Sequence, residues 1–189
     1  MDGSDQSKMM VMKKRKPMRV MVAMDESDFS FHALKWALDH VFVTPEPAAE
    51  KTEEASPEEV DMVVLVHVQE PFVHYGFPAG PGGTAVYATT TVVESVRKAQ
   101  EENSAALLSR ALQMCKEKPN IKAETLMLEG DPKDRICQAT EQMHVDLLVV
   151  GSRGLGTIKR AFLGSVSDYC THHAKCPVLI VKPPKETAK

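Results

Sequence analysis

The chain lacks any long apolar run, any excess of basic charge and any CxxC cysteine pair, and each absence removes a class of function. No stretch of its 189 residues approaches the ~20 apolar residues of a membrane span. Its first residues, Met1-Asp2-Gly3-Ser4-Asp5, carry no apolar signal-peptide core. The expectation is a cytoplasmic protein with no membrane partner. Lys and Arg number 23 against 26 Asp and Glu, a formal net charge of −3. That balance gives no support to a nucleic-acid partner. The four cysteines, at 115, 137, 170 and 176, fit a reducing compartment, with the thiols packed mostly in helices. What remains is ordinary for a soluble globular domain: 43% hydrophobic and 26% charged residues, in a chain long enough for one real core.

The order of the chain gives its architecture. Residues 1–16 are polar and end in Lys13-Lys14-Arg15-Lys16. They read first as a disordered basic tail and second as a nuclear-import signal. Met18–Met24 is a strand candidate, apolar and bounded by Pro17 and Asp25. Asp25-Glu26-Ser27-Asp28 then forms a helix-capping cluster, in which Asp25 is a candidate cap, and Ala33, Leu34, Ala37, Leu38 and Val41 follow at helical spacing. Trp36 falls off that stripe, at a helix edge. Residues 44–60 are acidic and Pro-rich, a surface insertion. Asp61–Val68 is almost continuously apolar, as a central parallel strand should be, which makes His67 a packed, hydrogen-bonded core residue. Residues 70–90, rich in Gly and Pro, read as a long surface loop over a site.

A helix is expected from about Thr91 to Lys116, with Val93, Val96, Leu107, Leu108, Ala111, Leu112 and Cys115 inward and Pro119-Asn120 as its stop. Ile121–Leu128 is a third strand. Asp131 and Pro132 suit the cap and first turn of a third helix, which turns Ile136, Cys137, Thr140 and Met143 inward. Val145–Val150 is a fourth strand. The helix after Gly164 should turn Val166, Tyr169, Cys170 and His173 inward, and Pro177–Val181 is a fifth strand before Pro183-Pro184 and a short tail, 184–189. Alternation of this kind implies an α/β fold, a five-stranded parallel sheet with right-handed crossovers and helices on both faces; the expected order is 3-2-1-4-5.

The chemistry concentrates in Val149–Ser167. A hydrophobic strand breaks at Gly151, runs through Gly154 and Gly156, and restarts as a helix at Gly164-Ser165, with Arg153, Lys159 and Arg160 adding positive charge. Small residues let backbone N–H groups approach a ligand, and a fresh helix N-terminus favours an anion, so the stretch reads as a phosphate site. Other phosphate and hydrolase motifs are missing. There is no GxxxxGK loop, no GxGxxG after the first strand and no GxSxG elbow. Cys170, His172, His173 and Cys176 fit no standard zinc spacing. In sheets of this order ligands bind beyond the C-terminal strand ends, which brings Ala23-Met24-Asp25, His67-Val68 and Gly151 onward together.

The pattern Gly151-x2-Gly154-x9-Gly164-Ser165 resembles the nucleotide-binding signature of the ATP-binding subgroup of the universal stress protein family. Val22-Ala23-Met24-Asp25-x-Ser27, Leu65–Val68, Gly130-Asp131-Pro132 and Cys176–Lys182 match too, so the resemblance spans about 17–183 and looks most like the plant single-domain members. It implies a Rossmann-like domain of the adenine nucleotide alpha hydrolase-like kind, with ATP or AMP as ligand and Mg2+ accompanying ATP. The backbone at Ala23, Met24 and Val68 would hold adenine. Asp25 would accept from the ribose, helped by the backbone at Val150 and Gly151. Gly154, Gly164, Ser165, Val166 and Ser167 would hold the phosphates through N–H groups and the two hydroxyls, with Arg153 as added charge. Met24 departs from the small or β-branched residue usual at its position. The resemblance also implies a homodimer through strand 178–182. The leading expectation is therefore a nucleotide-dependent regulatory protein of the stress response. The alternatives are a slow ATP hydrolase, for which no convincing base is visible, and a dimeric interaction module with an incidental pocket.

Overall fold

A computed structural model describes residues 16–42, 60–71, 90–118, 121–154 and 163–183. The basic tail before Lys16, the C-terminal tail, nearly all of 44–60 and 70–90, the Pro119-Asn120 stop, and Gly156, Lys159 and Arg160 lie outside them. Five strands and four helices alternate: β1 (Arg19–Ala23), α1 (Asp28–His40), β2 (Asp61–Gln69), α2 (Thr90–Lys116), β3 (Ile121–Glu129), α3 (Pro132–Gln142), β4 (Leu147–Gly151), α4 (Ser165–His173) and β5 (Val178–Val181). The sheet is parallel throughout, in the order β3-β2-β1-β4-β5.

The apolar runs are explained by where the strands sit. Val20, Met21 and Val22 of β1 and Val63, Val64, Leu65 and Val66 of β2 are all fully buried. Successive side chains point to opposite faces, so a run buried at every position needs cover on both. One face packs Val20, Val22, Val63, Leu65 and Val149 against Leu34, Ala37 and Leu38 of α1 and Leu107, Leu108 and Ala111 of α2. The other packs Met21, Val64, Val66, Leu148 and Val150 against Ile136 and Ala139 of α3 and Cys170 of α4. Edge strand β3 instead has no fully buried residue and mixes half-buried with exposed positions.

Three local expectations need correction. The cap of α1 is Ser27, not Asp25: Ser27 has extended backbone (φ −79°, ψ 149°) and its side chain accepts from Ser30 N–H. Asp25 braces that cap, its Oδ1 accepting from both the N–H and the hydroxyl of Ser27. Val96 of α2 does not face inward, because the first turns of this 27-residue helix are exposed. On α4, His173 is exposed and stacks on half-buried Tyr169 at a ring distance of 3.8 Å. Asp131 does cap α3, accepting from Lys133 N–H, with Pro132 in the first turn. Trp36 lies half-buried at the edge of α1, stacked on His40.

Candidate functional site

The strand order reverses between β1 and β4, and at their C-terminal ends a cleft of about 520 Å³ opens. That is within the usual range for small-molecule sites, about 300–1,000 Å³. Ala23, Met24, Asp25, Val68, Val150, Gly151, Arg153, Gly154, Gly164, Ser165, Val166 and Ser167 all line it. They come from the ends of three strands, the loop after β4 and the first turn of α4, so all twelve residues named from the sequence converge on one cavity.

Their local roles are not all those the sequence suggests. Met24 N–H donates to Val66 O at 2.8 Å, and its carbonyl lies 2.8 Å from His67 Nδ1. The Met24 N–H is therefore committed to the sheet. The backbone of β2 alternates sides, and Val66 O points toward β1. Val68 N–H and C=O, two residues on, therefore point the same way, past the place where β1 ends. Gly151 is small for packing: a Cβ there would lie 3.0 Å from the backbone of Phe29 in the first turn of α1. Gly154 is small for the site: a Cβ would lie 2.5 Å from Asp25 Oδ2, a contact that forces movement. Asp25 thus holds the α1 cap with one oxygen and lies over the Gly154 backbone with the other.

The start of α4 differs from those of α1 and α3. Those two are capped by side chains, whereas Gly164 caps α4 with none. Gly164 N–H donates to Ser152 O at 2.9 Å, and Asp168 N–H closes the first helical bond to Gly164 O at 2.9 Å. The N–H groups of Ser165, Val166 and Ser167 belong to the first turn, which has no intrahelical acceptors, and all three residues line the cleft. Ser165 is exposed. The Ser167 hydroxyl is buried and donates inward, with Gly164 O at 3.0 Å and Ser152 O at 3.4 Å. It braces the turn, and contact with an anion would require it to rotate.

Several cleft residues escaped the sequence reading. His67 is hydrogen-bonded as expected, but it is half-buried on the cleft wall and not sealed in the core. Gln69, at the end of β2, donates from Nε2 to Ser104 Oγ at 2.9 Å, and Gln100 donates to Glu70 O at 3.0 Å. These bonds fasten α2 to the end of β2 and make a polar wall. A glutamine at the end of a strand whose centre is apolar was the available signal. Glu26, Pro132 and Ile136 also line the cleft. Among the described residues no group of three or more His, Cys, Asp or Glu side chains is placed to hold a metal ion, and no helix is long and apolar enough to cross a membrane.

The topology and the cleft define a Rossmann-like α/β protein with an open site at its switch point. The universal stress protein family profile matches residues 17–182. The chain belongs to the universal stress protein family. Among its relatives, a universal stress protein A-like protein from Arabidopsis thaliana is 38% identical over 98 residues, 52% of this chain and 55% of that protein. YxiE of Bacillus subtilis is 31% identical over 165 residues, 87% of this chain and 98% of that one. The chain spans 55–66% of the length of the three curated Arabidopsis relatives it matches. A solved universal stress protein family protein from Arabidopsis thaliana, with AMP bound, superposes with a TM-score of 0.58 at 27% identity, covering 92% of this chain and 96% of that one.

Proposed function

We propose that the protein binds an adenine nucleotide, AMP or ATP, in this cleft and uses its occupancy to regulate a response to stress. The observation that carries the reading is the start of α4, which lacks a side-chain cap and turns three first-turn residues into the cleft. Such a terminus combines free N–H donors with the positive end of the helix dipole and suits a phosphate. The AMP-bound Arabidopsis structure supports the choice of base. In this reading Val68 offers backbone N–H and C=O to the adenine edge, beside Ala23 and Met24. Asp25 accepts from the ribose next to Val150 and Gly151. Gly154, Gly164, Ser165, Val166 and Ser167 surround the phosphates, with Arg153 beside them. Mg2+ would accompany ATP.

Hydrogen bonds to charged groups contribute roughly 1.5–3 kcal/mol each, so three or four of them, less ordering costs, reach about −8 kcal/mol, a micromolar Kd. Isothermal titration with AMP and with ATP is the test. Saturable heat in that range supports the proposal. Absence of heat with both nucleotides refutes it.

The second reading, a second copy as partner, rests on β5. Val178, Leu179 and Ile180 are half-buried in the single chain, and the strand forms an uncharged sheet edge. Bare edges of that kind invite pairing, so residues 178–182 are the proposed homodimer contact. Sedimentation at micromolar concentration should give twice the chain mass. The substitution Ile180→Lys should return it to that of one chain.

A further inference from the structure

Cys137 of α3 and Cys170 of α4 stand 33 residues apart in sequence, yet their sulfurs lie 3.8 Å apart. Both thiols are free, Cys170 fully buried and Cys137 half-buried. A disulfide needs a separation of about 2.05 Å, so side-chain rotation and a small helix shift would close the pair. We propose that Cys137 and Cys170 form a reversible disulfide that locks α3 to α4 beside the cleft.

Two features make the pair more than a packing contact. First, the pair joins a half-buried thiol to a sealed one, an arrangement of attacking and resolving cysteines. Second, both helices carry cleft walls. Ile136 precedes Cys137, and Val166 and Ser167 lie one turn before Cys170. A bond here fixes the position of the α4 first turn relative to α3.

The oxidant is a small peroxide, hydrogen peroxide being the simplest. The Cys137 sulfur attacks one peroxide oxygen; an S–O bond forms, the O–O bond breaks, and the leaving hydroxide takes the thiol proton away as water. The Cys170 sulfur then attacks the Cys137 sulfenic acid. The S–S bond forms, the S–O bond breaks, and a second water carries off the Cys170 proton. The two thiols lose two electrons and the peroxide gains them. A dithiol reductant returns both thiols. Burial pushes the Cys170 thiol up to about 12, with Cys137 adding to the effect, and burial raises Cys137 too. The thiolate is the reactive form, so oxidation is slow and the exposure must be long.

The test treats the full chain with hydrogen peroxide for hours, blocks the remaining thiols and maps peptides without reduction. The expected product links the Cys137 peptide to the Cys170 peptide, lighter by two hydrogens and reversed by dithiothreitol. Cys137→Ser and Cys170→Ala should each abolish it, and Cys115→Ser should retain it. Cys137 is half-buried, so its substitution disturbs the packing less than that of sealed Cys170. Linkage through Cys176 instead, or only over-oxidised Cys137, overturns the assignment. The consequence for the cleft rests on the nucleotide reading. Oxidation should shift the AMP Kd about fivefold or more in the wild type and not in Cys137→Ser. Equal affinity in both forms refutes that consequence. Failure of the reduced protein to bind AMP refutes the nucleotide reading and leaves the mapped disulfide standing.

Discussion

The two rims of the sheet use their polar groups in opposite ways. At the N-terminal rim, carboxylates close the structure on itself. Asp61 Oδ1 accepts from Met18 N–H at 2.9 Å and Asp146 Oδ2 from Arg19 N–H at 2.8 Å, while Arg19 Nη1 donates to Met143 O. At the C-terminal rim the strands end around a cavity, and of the helices that start there α4, unlike α1 and α3, has no side-chain cap. Even Asp25, which braces the α1 cap with one oxygen, keeps the other over Gly154. A rim that satisfies its own backbone adds stability. A rim that leaves donors around a cavity gives up some of that stability to gain a site. Changes at the two rims should therefore be felt in different measurements.

The largest effect is expected at Gly164. A side chain there lies 3.2 Å from the Arg153 backbone, and in Gly164→Asp it also brings negative charge to the anion end of the cleft. AMP affinity by titration should fall about 100-fold or more, near 2.7 kcal/mol, with a smaller change in melting temperature. Wild-type affinity in this variant would break the contrast.

Next comes the opposite rim. Asp61→Ala removes the acceptor of Met18 N–H and should cost about 1–2 kcal/mol in urea unfolding. AMP affinity should stay within about twofold, below 0.5 kcal/mol. A matching loss of binding would show that the rims are not separable.

Ser27→Ala tests the residue where both uses meet. It removes the α1 cap, worth about 1 kcal/mol, and releases Asp25 Oδ1. Stability and AMP affinity should both fall modestly, in the same two assays.

The mildest test uses pH, which acts on the layer between the rims. Burial holds the Cys115 thiol up at about 11 and Cys170 at about 12, against a usual 9.0. A raised thiol pKa means that the native state keeps a proton the unfolded chain gives up. Its stabilising contribution is complete below about pH 9 and is lost progressively as pH rises toward 11–12. Melting temperature should decline across that window. The decline should be shallower in a Cys115→Ser, Cys170→Ala double variant.

Much of this was legible before any coordinates. Runs such as Val63–Val66 can be buried at every position only between two helical layers, and the alternation of runs with helices implied a parallel sheet covered on both faces. Asp131-Pro132 announced the start of α3 by local chemistry alone. The rule that ligands sit at C-terminal strand ends brought Ala23-Met24-Asp25, His67-Val68 and Gly151 onward together, and the resemblance to the family signature supplied the individual residues. Failures came where distant partners decide. Asp25 and Ser27 are both good caps, and the choice between them depends on how α1 leaves β1. Val96 has the right periodicity but lies on a stretch of α2 that is exposed among the described residues.

The sequence by itself determined the strands, the helices, their order and the end of the sheet that would hold the cleft. Apolar patterning and turn chemistry are local, and parallel crossovers have one hand. Tertiary structure alone decided what each small or polar residue at the cleft is for. Gly151 clears Phe29, Gly154 clears Asp25, Gln69 reaches Ser104, and Cys137 meets Cys170. Each of these contacts joins segments that are independent in sequence, and their distances exist only once both faces of the sheet are packed.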